Sequence, residues 1–289
     1  MVMAALLGYN KLVLECFYRG MDMKKITILD IAAMKAEGRK IPVLTAYGFQ
    51  TAAMLDGAGI PMIIVGDSVG MVEAGYETTL PVTLDEMVYH TRSVARGARR
   101  ALIVGDMPFG SYQTSPADAC RNAARLVKEG FAGAVKMEGG VRVIDAVRAV
   151  IDMDVPVMGH IGLTPQSVHR MGGYRVQGKG RSQAREILKD AKALEDAGVF
   201  SIVIEGVPTE LAKEITAALK IPTIGIGAGP HCNGQVLVVN DMLGLTPFEG
   251  RAPKYLKKYA ELAGVVTNSV KDYIKDVEDG TFPTKEHSY

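Results

Sequence analysis

The sequence predicts an α/β protein built as a (β/α)8 barrel, also called a TIM barrel. Short apolar runs alternate with amphipathic, helix-like segments along the chain. Most of the runs are continuously apolar, which is typical of parallel strands that are covered on both faces. Eight repeats of this unit favour a closed barrel, with an open doubly wound sheet as the alternative.

Eight apolar runs are the candidate strands. Each is rich in aliphatic and β-branched residues and leads into a turn or a helix-like segment. In chain order the runs span residues 41–46, 61–66, 101–106, 133–138, 155–160, 200–205, 221–227 and 235–240.

The segments between the strands have the apolar spacing of helices. Ser115 is a favoured N-cap residue and Pro116 suits the first helical position, so a helix is predicted from there to Lys128. Other helices are predicted over residues 83–96, 183–197, 208–219 and 253–276. The buried side of the last helix is expected to contain Tyr255, Leu256, Tyr259, Leu262 and Val266.

Residues 23–289 are predicted to form a single barrel domain, because no linker or shift in composition divides them. Residues 1–22 mildly resemble a signal peptide, but Lys11 and Glu15 interrupt the apolar stretch and no small-residue cleavage site follows. We interpret this segment as a disordered or non-native extension, with Met21 or Met23 as the natural start. A docking helix is the alternative.

Composition excludes several classes of protein. The net charge of +1 provides no field for nucleic acid or an anionic membrane surface, and no apolar run is long enough to span a bilayer. The three cysteines are far apart and odd in number, which argues against a disulfide framework or a CxxC site. We therefore expect a protein of the reducing cytoplasm.

Ionisable residues cluster where the predicted strands end. In a TIM barrel the carboxyl ends of the strands form the active-site face, so these side chains should meet at one opening. Each has a structural explanation on its own: a turn or N-cap for an aspartate, a core position for a histidine, an ion pair for a buried lysine. Together they are hard to explain in that way. The residues are Asp67, Ser68, Asp106, Lys136, Glu138, His160 and Glu205.

Three of these residues predict a metal site. Asp67, Asp106 and Glu138 offer hard oxygen ligands, and neighbouring carboxylates repel one another unless a cation lies among them. Magnesium suits such ligands, whereas zinc is disfavoured because no cysteine or histidine cluster accompanies them. A 2-keto acid could chelate the ion through two adjacent oxygens, and its keto group would then be polarised.

Two loops are rich in glycine. Residues 160–180 are too long for a plain strand–helix turn and are predicted to form a mobile lid, with an ordinary surface loop as the alternative. Residues 224–229 read Ile-Gly-Ile-Gly-Ala-Gly. This run could hold phosphate, but it has no dinucleotide-fold context, so close backbone packing is the favoured interpretation.

Several long motifs, in this order, resemble those of the ketopantoate hydroxymethyltransferase family. The resemblance runs from about Lys24 to the C-terminus. The motifs are VGDSVG at 65–70, TLPVT at 79–83, KMEGG at 136–140, HIGLTPQS at 160–167, GGYRVQG at 172–178 and IGIGAG at 224–229.

The resemblance implies a phosphoenolpyruvate mutase/isocitrate lyase-like barrel. It implies transfer of a one-carbon unit from 5,10-methylenetetrahydrofolate to 3-methyl-2-oxobutanoate, giving 2-dehydropantoate and tetrahydrofolate in pantothenate synthesis. It also implies cytoplasmic homo-oligomers, commonly decamers.

The resemblance also assigns roles to residues. Asp67 and Asp106 would bind Mg²⁺, with Glu138 at the metal or directly behind it. The keto acid would be surrounded by Asp67, Ser68, Asp106 and Lys136, with Glu205 as the proton acceptor. From the residues themselves, His160 could relay the proton.

Two positions depart from the family pattern. Gly48 and Asn233 stand where aspartate is common, which puts the shape of the pocket rim in doubt. Two other functions remain as alternatives: a magnesium-dependent 2-oxo acid lyase of the isocitrate lyase and phosphoenolpyruvate mutase group, and a non-catalytic metabolite-binding barrel.

Overall fold

A computed structural model describes residue 18 and residues 24–248 and 252–289 of the chain. The predicted extension, residues 1–22, lies outside this part except for Tyr18, as do Cys16 and the two proposed start methionines. The Tyr18 hydroxyl donates to the buried Asp56 carboxylate at 2.6 Å.

The predicted barrel is confirmed. Within the described residues the strands pair in sequence order, every pair is parallel, and the last strand closes on the first. The strands are β1 Ile41–Thr45, β2 Met62–Val65, β3 Leu102–Asp106, β4 Ala134–Glu138, β5 Val157–Gly162, β6 Ser201–Glu205, β7 Thr223–Ile226 and β8 Gly234–Leu237.

Helices follow the strands as their capping residues predict. Ser115 accepts a hydrogen bond from Asp118 N and caps the helix Pro116–Lys128, as expected. The described α-helices are Ile28–Ala36, Phe49–Gly57, Val69–Val72, Leu84–Gly97, Pro116–Lys128, Ile144–Asp152, Val168–Met171, Arg181–Asp196, Thr209–Ala218, Val239–Met242 and Leu262–Glu278. Short 3-10 helices span Val141–Val143, Pro165–Ser167 and Lys285–His287.

The last predicted strand is too long at its carboxyl end. β8 stops at Leu237, which pairs with Leu44 near the end of β1. The next apolar residues turn into the helix Val239–Met242 instead of continuing the strand. The prediction of strand for residues 239 and 240 is therefore wrong.

Apolar side chains fill the amino-terminal half of the barrel. Met62, Val104 and Ile224 belong to one buried cluster, which is joined by Ile31 and Met34 of the helix Ile28–Ala36. Packing of this kind disfavours charged groups among these apolar side chains. The ionisable residues are thus confined to the opposite, carboxyl-terminal end.

The chain divides into two compact units, one that ends at Leu237 and one from Val238 to Tyr289. The predicted single domain for residues 23–289 stays a prediction, because compactness does not measure whether the units fold independently.

In the second unit, the last helix differs from the prediction in its start and in its burial. That helix begins at Leu262 instead of residue 253 and has no buried residue. Of the predicted buried side, Tyr255, Tyr259 and Val266 are exposed. A helical period identifies an apolar face but not what covers it, which is why the prediction was wrong.

Within the described residues, no helix has the length and apolar content needed to span a membrane. Cys120 and Cys232 are free thiols.

Candidate active site at the carboxyl-terminal end of the barrel

The ends of neighbouring strands bring the predicted site residues together. Parallel pairing sets Asp106 of β3 beside Lys136 of β4, and Glu138 of β4 beside His160 of β5. Glu205 ends β6 and is paired with the last residue of β5. Adjacent strands lie about 4.8 Å apart, so side chains that face the barrel axis from these positions can touch.

Lys136 lies at the centre of the cluster. Its Nζ atom is 3.1 Å from Asp106 Oδ2 and 3.7 Å from Glu138 Oε1. It is also 3.2 Å from His160 Nδ1. A buried ammonium group requires the two carboxylates as partners, since leaving it unpaired would cost several kcal/mol.

His160 connects two carboxylates that face it from opposite sides. Its Nδ1 atom is 3.3 Å from Glu138 Oε1, and its Nε2 atom is 3.1 Å from Glu205 Oε2. The Glu205 side chain retains 17% of its exposure, whereas the His160 side chain retains 4%. Glu205 therefore stands between the buried cluster and the opening.

Asp67 follows β2 and joins the cluster from a loop. Its backbone N donates to Asp106 Oδ2 at 3.2 Å. Its Oδ2 atom accepts from Gln166 Nε2 at 2.8 Å. The Asp67 carboxylate is consequently fixed on one side by a residue from the far side of the barrel mouth.

Ser68 lies next to Asp67 at the same edge. Its hydroxyl shares a hydrogen bond of 2.8 Å with the Tyr47 hydroxyl. A Cβ atom at Gly66 would lie 2.7 Å from Ser68 Oγ and 3.5 Å from Asp106 Oδ2. A larger residue at position 66 would therefore require the serine hydroxyl to move.

Burial and mutual repulsion perturb the aspartates. Burial raises the pKa of Asp67 to about 8, and the charges of Glu138 and Asp106 act in the same direction. Burial also raises the pKa of Asp106, although Lys136 opposes it. Without a cation, Asp67 thus keeps its proton to a higher pH than an ordinary aspartate.

The pKa values of Lys136, His160 and Glu138 are shifted in the direction that favours their charged forms. Burial would lower the pKa values of Lys136 and His160, but the neighbouring carboxylates outweigh it. The pKa of Lys136 is raised and that of His160 rises to about 9. Burial would raise the pKa of Glu138, yet His160 and Lys136 lower it.

The aspartates could hold a cation. Asp106 Oδ1 is buried and has no hydrogen-bond partner, which is costly unless another ligand satisfies it. Among the described residues, however, no three His, Cys, Asp or Glu side chains form a group able to hold a metal ion. Both Glu138 oxygens face other groups: Oε2 accepts from Gln166 N at 3.0 Å, and Oε1 faces Lys136 and His160.

The segment after β5 reaches across the mouth, where a lid was predicted. The Tyr174 hydroxyl lies 3.8 Å from Met71 Sδ, a residue that follows β2. Gly172 and Gly173 have φ values of 66° and 107°, which favour glycine. Whether the segment moves stays a prediction.

The second glycine-rich loop is closely packed. A Cβ atom at Gly225 would lie 3.0 Å from Cys232 Sγ, and one at Gly229 would lie 2.6 Å from Thr209 side-chain atoms. These approaches agree with the packing interpretation of residues 224–229.

The two departures from the family pattern do not join the cluster of ionisable residues. Gly48 precedes the helix Phe49–Gly57, and a Cβ atom there would meet nothing within 4 Å. Asn233 Oδ1 accepts from Thr223 N at 3.0 Å and from Thr223 Oγ1 at 3.1 Å, so Asn233 supports the start of β7.

Two polar residues of the site were not predicted from the sequence. Gln166 and Tyr112 are buried and hydrogen-bond to each other at 2.8 Å. Gln166 stands inside the motif at 160–167, but a glutamine and a tyrosine in loops carry no charge that would single them out. The signal that could have found them is the need of three crowded carboxylates for hydrogen-bond donors.

Comparison with known proteins identifies close relatives. The profile of the family described as ketopantoate hydroxymethyltransferase matches residues 25–285. The 3-methyl-2-oxobutanoate hydroxymethyltransferase of Geobacter metallireducens is 57% identical over 92% of this chain and 99% of its own length. That of Syntrophotalea carbinolica is 58% identical over 92% of this chain and 99% of its own length.

Solved structures with the same fold are more distant. Phosphonopyruvate hydrolase, in a complex with oxalate and Mg²⁺, has a TM-score of 0.59 at 12% identity and covers 91% of this chain and 93% of its own. The 2,3-dimethylmalate lyase, a member of the PEP mutase/isocitrate lyase superfamily, has a TM-score of 0.57 at 15% identity, covering 91% of each chain. These likenesses show the fold, as predicted.

The perturbed groups predict how stability depends on pH without ligands. Asp67 retains a proton in the folded state up to about pH 8, whereas its ordinary pKa is 3.8. His160 retains one up to about pH 9, against an ordinary pKa of 6.5. Between pH 6.5 and 8 the folded state therefore binds more protons than the unfolded state, so stability must fall as pH rises.

We expect the free energy of unfolding to fall by roughly 1 kcal/mol per pH unit for each of these protons. Urea unfolding at constant ionic strength measures it. Asp67→Asn should make the dependence shallower, while the exposed control Asp145→Asn should leave it unchanged. A stability that stays flat or rises over this range would contradict the assignment.

Proposed function

Since this chain belongs to the ketopantoate hydroxymethyltransferase family, we propose that it transfers a hydroxymethyl group from 5,10-methylenetetrahydrofolate to 3-methyl-2-oxobutanoate. The methyl-bearing C3 of the keto acid loses a proton and forms a bond to the methylene carbon. Water supplies the hydroxyl oxygen, and tetrahydrofolate leaves. The product is 2-dehydropantoate, an intermediate of pantothenate synthesis.

One observation supports this reaction above the others. A positively charged lysine, an aspartate and a glutamate that can accept a proton lie together at one barrel mouth. Lys136 lies 3.1 Å from Asp106, and His160 lies 3.1 Å from Glu205. Removing a proton beside a keto group requires a base and a way to stabilise the negative charge that develops. The cluster has both.

We propose that Asp67 and Asp106 hold Mg²⁺. The partnerless Asp106 Oδ1 and the raised pKa of Asp67 both fit a cation at this position. Mg²⁺ commonly takes one or two protein carboxylates and completes its coordination with water and substrate oxygens. Glu138 as a further ligand stays a prediction; in this structure it contacts Lys136 and His160. A bound Mg²⁺ would act as a Lewis acid that polarises the keto oxygen and orients the substrate.

The remaining steps, substrate binding and proton transfer, are assigned to side chains of the protein. Lys136 offers positive charge to the keto acid, and the Ser68 hydroxyl offers a hydrogen bond beside Asp67. Glu205 Oε2 accepts the C3 proton, because Glu205 is the partly exposed carboxylate of the cluster. His160 Nε2 lies next to that oxygen and, as an imidazolium, can donate a hydrogen bond to it or relay a proton.

The proton-transfer role is tested with Glu205→Gln. The wild-type protein with Mg²⁺ should form 2-dehydropantoate from the two substrates and, without folate, should exchange the C3 proton in deuterated water. Glu205→Gln should still bind Mg²⁺ and keto acid but lose exchange and turnover by roughly 10²- to 10⁴-fold. Proton NMR and calorimetry measure the two properties.

The matched control is Glu210→Gln, at an exposed position in the helix Thr209–Ala218. Unchanged exchange in Glu205→Gln would remove this residue from the base role. Cleavage of a dicarboxylate with no 2-dehydropantoate formed would overturn the proposed reaction in favour of a lyase.

The metal-binding role is tested with Asp67→Ala and Asp106→Ala. Each removes one proposed ligand, so Mg²⁺ affinity in the presence of keto acid should fall by roughly tenfold or more. Isothermal titration calorimetry measures this affinity, with the exposed Asp145→Ala as control. Normal Mg²⁺ affinity in both variants would show that the ion, if required, binds elsewhere.

We also propose that the chain forms a homo-oligomer in the cytoplasm, with the decamer as the expected assembly. The helix Leu262–Glu278 exposes a continuous apolar face, and such faces usually mark interaction surfaces. The face contains Val266, Val270, Tyr273 and Val277.

Sedimentation velocity tests this assembly. Val270→Asp places a charge in the apolar face and should reduce the sedimenting mass, whereas Asn268→Asp on the opposite side of the helix should not. A wild-type protein that sediments as a monomer at micromolar concentration would contradict the proposal.

A further inference from the structure

Gln166 has no role in the proposed reaction, yet it forms several hydrogen bonds at the acidic cluster. It lies in the 3-10 helix Pro165–Ser167 after β5, and 6% of its surface is exposed. Its Nε2 atom donates to Asp67 Oδ2 at 2.8 Å and to Met107 O at 3.0 Å. Its Oε1 atom accepts from the Tyr112 hydroxyl at 2.8 Å and from Gln113 Nε2 at 3.0 Å.

These four partners determine the orientation of the amide. The Met107 carbonyl can only accept hydrogen bonds, so it must face the NH₂ group. Gln113 Nε2 can only donate, so it must face the amide oxygen. A flipped amide would oppose oxygen to oxygen at Met107 and NH₂ to NH₂ at Gln113. Gln166 thus uses both of its donors and both acceptor sites.

The backbone of Gln166 holds a second carboxylate. Its N–H donates to Glu138 Oε2 at 3.0 Å. One residue of the segment after β5 therefore fixes one oxygen of Asp67, which follows β2, and one oxygen of Glu138, which ends β4. The other Glu138 oxygen, Oε1, faces Lys136 and His160.

Tyr112 holds Gln166 in turn. The tyrosine is 1% exposed, and its hydroxyl accepts from Glu138 N at 3.0 Å while donating to Gln166 Oε1. Because a hydroxyl has one proton, the bond to Gln166 and the 3.1 Å approach to the Glu138 carbonyl compete for it. The shorter distance favours Gln166.

We infer that Gln166 is a positioning residue that sets Asp67 and Glu138 for binding of the divalent ion and keto acid. This inference rests on the proposed function. Without the amide donor, Asp67 loses its partner on the loop side and its carboxylate becomes free to rotate. Groups that orient metal-binding carboxylates in this way typically change metal affinity or activity by 10- to 100-fold.

Gln166→Met tests the inference, because methionine keeps the length of the side chain but removes all four hydrogen-bonding positions. Calorimetry should show a loss of affinity for 3-methyl-2-oxobutanoate and Mg²⁺ of roughly 10- to 100-fold. Saturating both should restore turnover in part, so KM rises more than kcat falls. Gln166→Glu, which turns a carboxylate toward Asp67, should bind at least as weakly.

Two controls separate positioning from simple stability. Gln50→Met, at an exposed site in the helix Phe49–Gly57, should leave affinity and the thermal midpoint unchanged. Tyr112→Phe leaves the amide donor in place but removes one of its supports, and it should weaken binding by a smaller factor. If Gln166→Met does not fold, the binding affinity of Tyr112→Phe tests the positioning role instead.

The outcomes are distinguishable. A wild-type protein that fails to bind the keto acid with Mg²⁺ overturns the proposed function and this inference with it. A wild-type protein that binds, together with folded Gln166 variants that bind within about twofold of it, overturns the positioning role alone. A lowered thermal midpoint with unchanged affinity in the folded variants likewise shows that Gln166 is only structural.

Discussion

The structure of the site depends on one electrostatic constraint: three carboxylates are buried together and must be balanced. Lys136 supplies the central positive charge, within 3.1 Å of Asp106 and 3.7 Å of Glu138. One lysine does not balance the whole cluster, since burial and repulsion still raise the pKa of Asp67 to about 8. The backbone N–H of Asp67 and the side-chain amide of Gln166 add hydrogen-bond donors to these oxygens.

The parallel barrel meets this constraint through strand register. Asp106 is paired with Lys136 and Glu138 with His160, so opposite charges are brought together by the same backbone pairing that closes the barrel. These groups need no ordered loop to find each other. Asp67 is different because it follows β2 in a loop, and its carboxylate is fixed by Gln166 from another loop.

The sequence predicted the parts of the molecule in which local pattern and three-dimensional position coincide. Continuous apolar runs located the strands, and the two-residue spacing of Lys136 and Glu138 placed both on one face. Gln166 was missed because its position depends on a loop that crosses the mouth, which no periodicity encodes. The last helix failed for a related reason: exposed Val266 has the spacing of a core residue, and spacing does not identify what covers it.

Some site residues lie on strands and others in loops, and this difference has a consequence for ligand binding. The segment after β5 supplies both Gln166 and Tyr174, and each reaches a residue that follows β2: Asp67 at 2.8 Å and Met71 at 3.8 Å. If a ligand binds Asp67 better when these contacts are formed, it would favour the arrangement in which this segment lies across the mouth. Because such coupling is reciprocal, a change that favours this arrangement of the segment would also favour binding, by no more than the coupling free energy. Strand-borne charges can be in place before the ligand arrives, whereas the loop-borne carboxylate and its glutamine complete the site together.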